Sequence, residues 1–529
     1  MPHTPLLRRL VALAQDVDRA SGTPADAPRA IDRRAFLAAA AVGLGAAACA
    51  DPLTGIRPPR APRAASAVGA PASVAVVGAG LAGLTCAVRL REGGVVADVY
   101  EASARLGGRC WTRRDGTFRD GQLTEHGGEL IDQSHVAIRQ LAQELGLPLD
   151  NVLAAEPNGT EALYWFDGAP YTYEEATRDL KAVWQPLKRD YVEAGYPTSY
   201  ARSTPRGRAL DAMSVAAWIE QTVPGGRASR LGQLLEVAYV IEYGAEATEQ
   251  SALNLIYLLG GVGQGQLRVF GPSNEKYKVR GGNDLLVTRL AERLPQGVRT
   301  GKALVGIRRN LARWELRFAD GTAQLYDRVV LALPFSILRT VDRAGAGFPA
   351  VKERAITELG MGANSKLAVQ FETRRWHALG CNGDTTSDRG YQQTWEATRA
   401  QPGTRGILVD YTGGQASLAQ SGKPTQTLAQ QFLAQVAPVL PGLQPTPGPG
   451  GVRAAFDDWP AYPWTKGSYS YFRVGQYTAF GGAEAEAVDG CHFAGEHTSV
   501  DAQGYLEGAV ESGERAAAEV LAGVAARKG

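Results

Sequence analysis

Apolar positions along this chain change their period at intervals, and each change marks a predicted element. Val74-Ala75-Val76-Val77 is a run of strand formers. It enters Gly78-Ala79-Gly80-Leu81-Ala82-Gly83 and then a helix-like segment that ends near Glu92. Val95 to Tyr100 reads as a second strand, closed by Glu101. Ser134 to Leu145 carries a helical period that Pro148 stops. Between 150 and 270, helix-like segments alternate with aromatic-rich loops, and Ser251 to Leu259 is apolar nearly all round. The cluster of Tyr164, Trp165, Phe166, Tyr171 and Tyr173 is expected in a core rather than on a pocket wall. Lys302 to Ile307 predicts a strand, and the segments flanking Asp320-Gly321 predict a hairpin. Asp327 to Leu333 reads as a buried strand ended by Pro334. Asn364 to Phe371 alternates as a strand does when one face is buried. A final strand, His492-Phe493-Ala494, runs into Gly495-Glu496, and Gln503-Gly504-Tyr505-Leu506 opens the last helix.

The order strand, glycine turn, helix, strand, acid has a direct physical reading as a dinucleotide-binding unit. Gly78 permits the tight turn, Gly80 lets the backbone approach a pyrophosphate, and Gly83 lets the helix pack closely on the strand. The helix N-terminus offers free N–H groups and partial positive charge to phosphate, and Glu101 stands where an acid can bond a ribose hydroxyl. Leu106-Gly107-Gly108-Arg109 adds backbone room and a fixed cation. Glu125-His126-Gly127-Gly128-Glu129 is a further glycine turn.

At 529 residues the chain exceeds what one core usually serves, so two or three domains are expected. A net charge of +2, with no basic run interleaved with aromatics, argues against nucleic acid as a partner. The five cysteines lack zinc spacing and the six histidines are unpaired, so no metal site is expected. Arg33-Arg34 followed by the short apolar run Ala38–Ala48 makes 1–50 a twin-arginine export signal, which implies a periplasmic or secreted protein. That run is too short to span a bilayer. Ala48-Cys49-Ala50 suits simple cleavage better than lipidation of Cys49, and the Pro/Ala/Arg stretch 51–72 reads as a linker.

Together, Val76–Leu84, Glu101-Ala102, Leu106–Arg109 and the closing stretches Gly495-Glu496 and Gly504–Gly513 resemble the flavin-containing amine oxidase family. That family includes monoamine, polyamine and L-amino acid oxidases. The resemblance runs from about residue 73 to 523. It implies a mixed α/β fold with a Rossmann-like FAD-binding domain (73–132, 275–335, 476–529). A discontinuous substrate-binding domain, a mixed sheet with a helical insertion, would take 133–274 and 336–475. It also implies that Val305 contacts the adenine through its backbone, that Gly128, Glu129, Glu496 and Leu506 bind the cofactor, and that Trp459 packs near the flavin.

The chemistry implied is transfer of a hydride equivalent from the amine-bearing carbon to flavin N5, then imine hydrolysis and reoxidation by oxygen, giving peroxide. Lys366 matches the family lysine that holds a water near N5, and Tyr469 and Tyr505 match the two cage aromatics. Ser468 stands where covalently flavinylated relatives carry a cysteine, so the FAD is expected to be non-covalent. L-Amino acid oxidases commonly place an arginine after the glycine turn to clamp a carboxylate. Here Glu129-Leu130-Ile131 has none, which favours an amine substrate, and Glu129 itself could attract the second ammonium of a diamine. The alternatives are an L-amino acid oxidase, a dehydrogenase serving a periplasmic electron carrier, or a flavin-loaded scaffold without activity. A homodimer is compatible with the chain.

Overall fold

The structure, a computed structural model, describes residues 72–260 and 275–526. The twin-arginine segment, Cys49, the linker through residue 71 and part of the expected helical insertion lie outside the described residues.

The apolar run at the start becomes one strand of a four-stranded parallel sheet, in the order Ala97–Tyr100, Val74–Val77, Arg328–Leu331, Cys491–Phe493. Strand alternation divides its side chains between two cores. Val74, Val76 and Val330 join the cluster beneath the helix Leu81–Glu92, whereas Ala75, Val77, Val329 and Leu331 join the opposite one. Burial on both faces is what a continuous apolar strand requires, and each buried valine contributes roughly 1.5–3 kcal/mol. The first helix lies so close to its strand that a Cβ on Gly83 would sit 1.9 Å from the Gly78 carbonyl oxygen. Gly78 itself has φ +103°, a left-handed conformation that favours glycine.

Leu304–Asn310, Arg313–Phe318 and Ala323–Tyr326 form an antiparallel meander, with the Phe318 N–H donating to the Thr322 carbonyl across the Asp320-Gly321 turn. A second, seven-stranded sheet is mixed. Its order is Ala454–Asp458, Asn364–Phe371, Gly406–Gly413, Gln393–Glu396, Cys381–Ser387, Glu161–Phe166 and Ala169–Tyr171. Against it pack helices that include Tyr173–Ala194, Arg230–Tyr243 and Ala252–Leu259, and Tyr164, Phe166 and Tyr171 are buried in their shared core.

Two expectations change. All eight residues of Asn364–Phe371 are buried, not one face of them. Leu367, Val369 and Phe371 pack against Phe432 of the helix Thr425–Val436. The other face is covered by polar partners: Gln370 donates to Gln122 Oε1 at 2.8 Å, and Lys366 reaches Glu125. Alternation therefore separated two buried environments. The helix Val136–Glu144, expected on the substrate side of residue 132, buries Ile138, Leu141 and Ala142 in the cluster of Val76 and Leu84. Its N-terminus is capped from far away in sequence, because the Glu507 carboxylate accepts the Ala137 and Ile138 N–H groups at 2.9 and 2.8 Å. Leu338, Val341 and Ile356, also expected on the substrate side, bury with Ala75 and Val77.

Candidate active site

A cavity of about 220 Å³ opens where the first sheet, the glycine turns and the second sheet converge. Two sets of residues line it. The first belongs to the glycine-rich unit: Gly78, Gly80, Glu101, Gly108 and Arg109. A Cβ on Gly80 would meet nothing nearer than the Gly107 oxygen at 3.9 Å, and one on Gly108 nothing nearer than 3.7 Å. The backbone there is bare toward the cavity, as close approach of a dinucleotide requires. Glu101 is held by the Ala79 and Ser103 N–H groups, each at 2.9 Å, so its orientation is set before any ribose arrives. Gly83 stays outside the cavity and serves the strand–helix contact.

Arg109, expected as a fixed cation for phosphate, is held in place through Nη1, which donates to Glu496 at 2.8 Å and to the Ser468 carbonyl at 2.7 Å. Glu496 also accepts the Ser470 hydroxyl and the Gly504 N–H, both at 2.8 Å. Burial pushes its pKa up, but the Arg109 charge and the hydrogen bonds from Arg109 and Ser470 outweigh it and hold the carboxyl below its usual range. His497 itself is pushed down to about 4, by burial first, and is neutral at pH 7. Gly128 and Leu506 line the cavity side by side, since a Cβ on Gly128 would meet the Leu506 side chain at 2.8 Å. Trp459 lines it too, its indole N–H donating to the His126 carbonyl at 2.8 Å.

Val305 was expected to meet the adenine through its backbone, and it stands apart from the residues above. It does not line the cavity, its side chain is 44% exposed, and its carbonyl accepts the Asp342 N–H at 3.0 Å. The strand register shifts beside it, between partners Arg317 and Phe318, so Val305 points outward while its neighbours Leu304 and Gly306 are buried. In a strand, one residue of slip reverses the face.

The second set comprises Glu129, Lys366, Trp395, Tyr411, Tyr469, Tyr505 and Glu275. The Lys366 ammonium donates to the Glu125 carbonyl (2.8 Å), the Gly127 carbonyl (3.3 Å) and Glu129 Oε2 (2.8 Å). An ammonium has three donors, and these three acceptors match them in number. Glu129 thus gives its Oε2 to Lys366, whose charge offsets its own. Trp395 adds an indole N–H to the same carboxylate at 3.3 Å. The Tyr469 hydroxyl donates to the Ile241 carbonyl at 3.1 Å and lies 2.8 Å from the Tyr411 hydroxyl. Burial, then neighbouring groups that include the Glu242 carboxylate, pushes the Tyr469, Tyr505 and Tyr411 phenols up, so all three stay neutral. Tyr469 and Tyr505 both line the cavity, and Tyr505 packs edge-on to His135 at 4.9 Å. Trp395, Tyr411 and Glu275 escaped sequence reasoning. Trp395 and Tyr411 lie in ordinary strand positions and reach the site through sheet register, which sets Tyr411 opposite Lys366, while Glu275 precedes the strand Tyr277–Val279 and its N–H donates to Asp132 at 2.6 Å.

The residues present fit FAD: a bare glycine cradle, an oriented ribose acid and a helix N-terminus at Leu506, all opening on one cavity. Residues 81–521 match the family described as flavin containing amine oxidoreductase, and the chain belongs to that family. It is an FAD-dependent oxidoreductase acting on amines. It is 25% identical to a flavin-containing amine oxidase of Danio rerio over 85% of each chain. To human flavin-containing amine oxidase B it is 24% identical, over 85% of this chain and 86% of that one. A putative L-amino-acid oxidase of Bacillus subtilis is 24% identical, over 85% of this chain and 95% of that one. Among solved structures, putrescine oxidase bound to putrescine shares the fold with a TM-score of 0.72 and 23% identity, over 86% of this chain and 99% of that one. Cyclohexylamine oxidase from Brevibacterium oxydans shares it with a TM-score of 0.73 and 22% identity, over 86% of this chain and all of that one.

Proposed function

We propose that this chain carries out oxidative deamination of an amine without an α-carboxylate, with oxygen as acceptor and hydrogen peroxide as product. One arrangement carries the reading: the cavity is walled by Trp395, Tyr411, Tyr469 and Tyr505, while its lysine and arginine, Lys366 and Arg109, are each paired with a buried carboxylate. A substrate carboxylate would meet no uncommitted lysine or arginine among the described lining residues. Glu275 adds a further acid to the wall, and Glu242, fully buried, is close enough to push up all three phenols. Acids and aromatic faces both favour an approaching ammonium and oppose an amino acid's carboxylate.

Bound FAD supplies the electron-pair acceptor for oxidation at the amine-bearing carbon and returns the electrons to oxygen. Gly80 and Gly108 leave room for the phosphates, and Glu101 takes the ribose. Ser468, whose hydroxyl donates to Asn364 Oδ1 at 2.6 Å, offers no thiol for a covalent link. Tyr469 and Tyr505 wall the substrate amine, and the Lys366–Glu129 pair is held against the same cavity. We read residues 1–50 as the signal that exports the folded, FAD-loaded protein.

The test is a peroxide assay of the FAD-loaded protein across monoamines, diamines and L-amino acids, paired with anaerobic bleaching of the flavin. Turnover of an amine with none of the matching amino acid is expected. Bleaching by L-amino acids alone would overturn the substrate reading, and no bleaching by any member would leave a flavin-loaded scaffold.

A further inference from the structure

Tyr469 is fixed at both ends. Its carbonyl accepts the Gly362 N–H at 2.7 Å, and its hydroxyl, at the far tip of the ring, is the meeting point of two hydrogen bonds. Because its single proton goes to the Ile241 carbonyl, the proton between the two phenols belongs to Tyr411, which donates to Tyr469. Tyr411 sits on the strand Gly406–Gly413, opposite Lys366 in register. Its ring packs edge-on to Trp395 with centroids 5.2 Å apart. Trp395 in turn donates to Glu129 at 3.3 Å, and Glu129 accepts Lys366 at 2.8 Å. The Lys366 ammonium lies 5.3 Å from the Trp395 ring centroid, within range of a cation–π attraction. A continuous set of contacts therefore joins Lys366 to Tyr469 through residues on three adjacent strands.

We propose that Tyr411 is a positioning residue for the oxidation: its hydroxyl fixes the plane of the Tyr469 ring, and its packing on Trp395 ties that plane to the Glu129–Lys366 pair. This rests on the reading of Tyr469 as a wall of the amine site. The physical reason is geometric. A tyrosine ring anchored only at its backbone can swing about two side-chain torsions; hydrogen bonds at its tip stop the first, and because a phenol's hydrogen bonds prefer the ring plane they restrain the second. Reaction rates depend steeply on such alignment.

The experiment is anaerobic stopped-flow reduction of the full-length, FAD-loaded enzyme by its best amine, with Tyr411→Phe, Tyr469→Phe and the double variant. Phenylalanine keeps the ring that packs on Trp395 and removes only the hydroxyl. Loss of one neutral hydrogen bond is expected to slow the limiting rate of reduction by about three- to tenfold. The amine concentration at half-saturation should stay within about twofold. Both single variants delete the same hydrogen bond, so the double variant should be no slower than Tyr469→Phe alone. An unchanged rate in Tyr411→Phe, or single effects that multiply in the double variant, would overturn the proposal. Multiplying effects would mean that Tyr411 touches the substrate independently. If Tyr411→Phe loses its flavin, Trp395→Phe serves instead: slower reduction at unchanged half-saturation is expected, and wild-type rates overturn the link. A wild-type flavin that no amine reduces refutes the amine-oxidase reading itself, which separates the two failures.

Discussion

Lys366 and Glu129 meet at 2.8 Å with side chains only 5% and 7% exposed, an ion pair enclosed between the two sheets' domains and bonded further to the Glu125 and Gly127 carbonyls. Such a pair is poor evidence for stability as a unit, but removing one partner strands the other as an uncompensated buried charge.

Lys366→Met is therefore expected to destabilise the protein by about 3–5 kcal/mol as well as to slow flavin reduction. Adding Glu129→Gln should restore most of the stability but not the rate. Denaturant melts of wild type and the two variants check the first effect, and anaerobic reduction checks the second. A double variant as unstable as Lys366→Met would show that the pair does not act as one.

Two glycines of the Gly78–Gly83 turn should fail differently when replaced by alanine. Gly83→Ala drives a Cβ to 1.9 Å from the Gly78 oxygen, so the helix must move, and overpacking of this kind costs about 1–3 kcal/mol. Gly80→Ala meets nothing within 3.8 Å, so the apoprotein should melt like wild type while its affinity for FAD falls. Melting of apoprotein and fluorescence titration with FAD separate the two.

Stability should vary with pH through named groups. Glu125, Glu484 and Glu507 have carboxyls pushed up to about 7, in each case chiefly by burial. Between their ordinary value and 7 the folded state holds more protons than the unfolded one, so their contribution falls as pH rises through that window. Lys352, whose ammonium donates to the Glu484 carbonyl at 3.0 Å, is pushed down to about 8 by burial. From 8 to its ordinary 10.5 the unfolded state holds more protons, so its contribution to stability rises with pH. Glu507→Gln should flatten the acid-side slope and Lys352→Met the alkaline one, as read by thermal melts across pH.

Acid precipitation should release yellow flavin into the supernatant, because Ser468 offers a hydroxyl where a thioether would need a thiol. Colour retained in the pellet would show a covalent link elsewhere.

Replacing Arg33 and Arg34 together by lysine should leave folded, FAD-loaded protein in the cytoplasm. Periplasmic accumulation equal to wild type would dismiss the export reading. Fractionation followed by flavin fluorescence is the measurement.

The glycine-rich unit was legible in the sequence because everything that defines it is local. Turn, helix entry and second strand lie within Val74–Glu101, and each glycine has a steric reason that can be read one residue at a time. The Asp320-Gly321 hairpin was legible for the same cause. Reading failed where the deciding contact came from elsewhere. The strand Asn364–Phe371 reads as half-exposed because Lys366 and Gln370 are polar, yet the loop carrying Gln122 and Glu125 covers that face. The outward turn of the Val305 side chain was illegible because a register shift cannot be seen in the residues of one strand.

What the sequence by itself determined is the cofactor cradle and the family chemistry, since short-range backbone geometry and residue type suffice for both. The tertiary structure decided how the reacting end is held. It turned Lys366 toward Glu129 and two carbonyls, paired Arg109 with Glu496, and brought Trp395 and Tyr411 beside Tyr469. These are pairings between residues tens to hundreds of positions apart. Which donor meets which acceptor depends on sheet order and register, and neither is written in any local stretch of the chain.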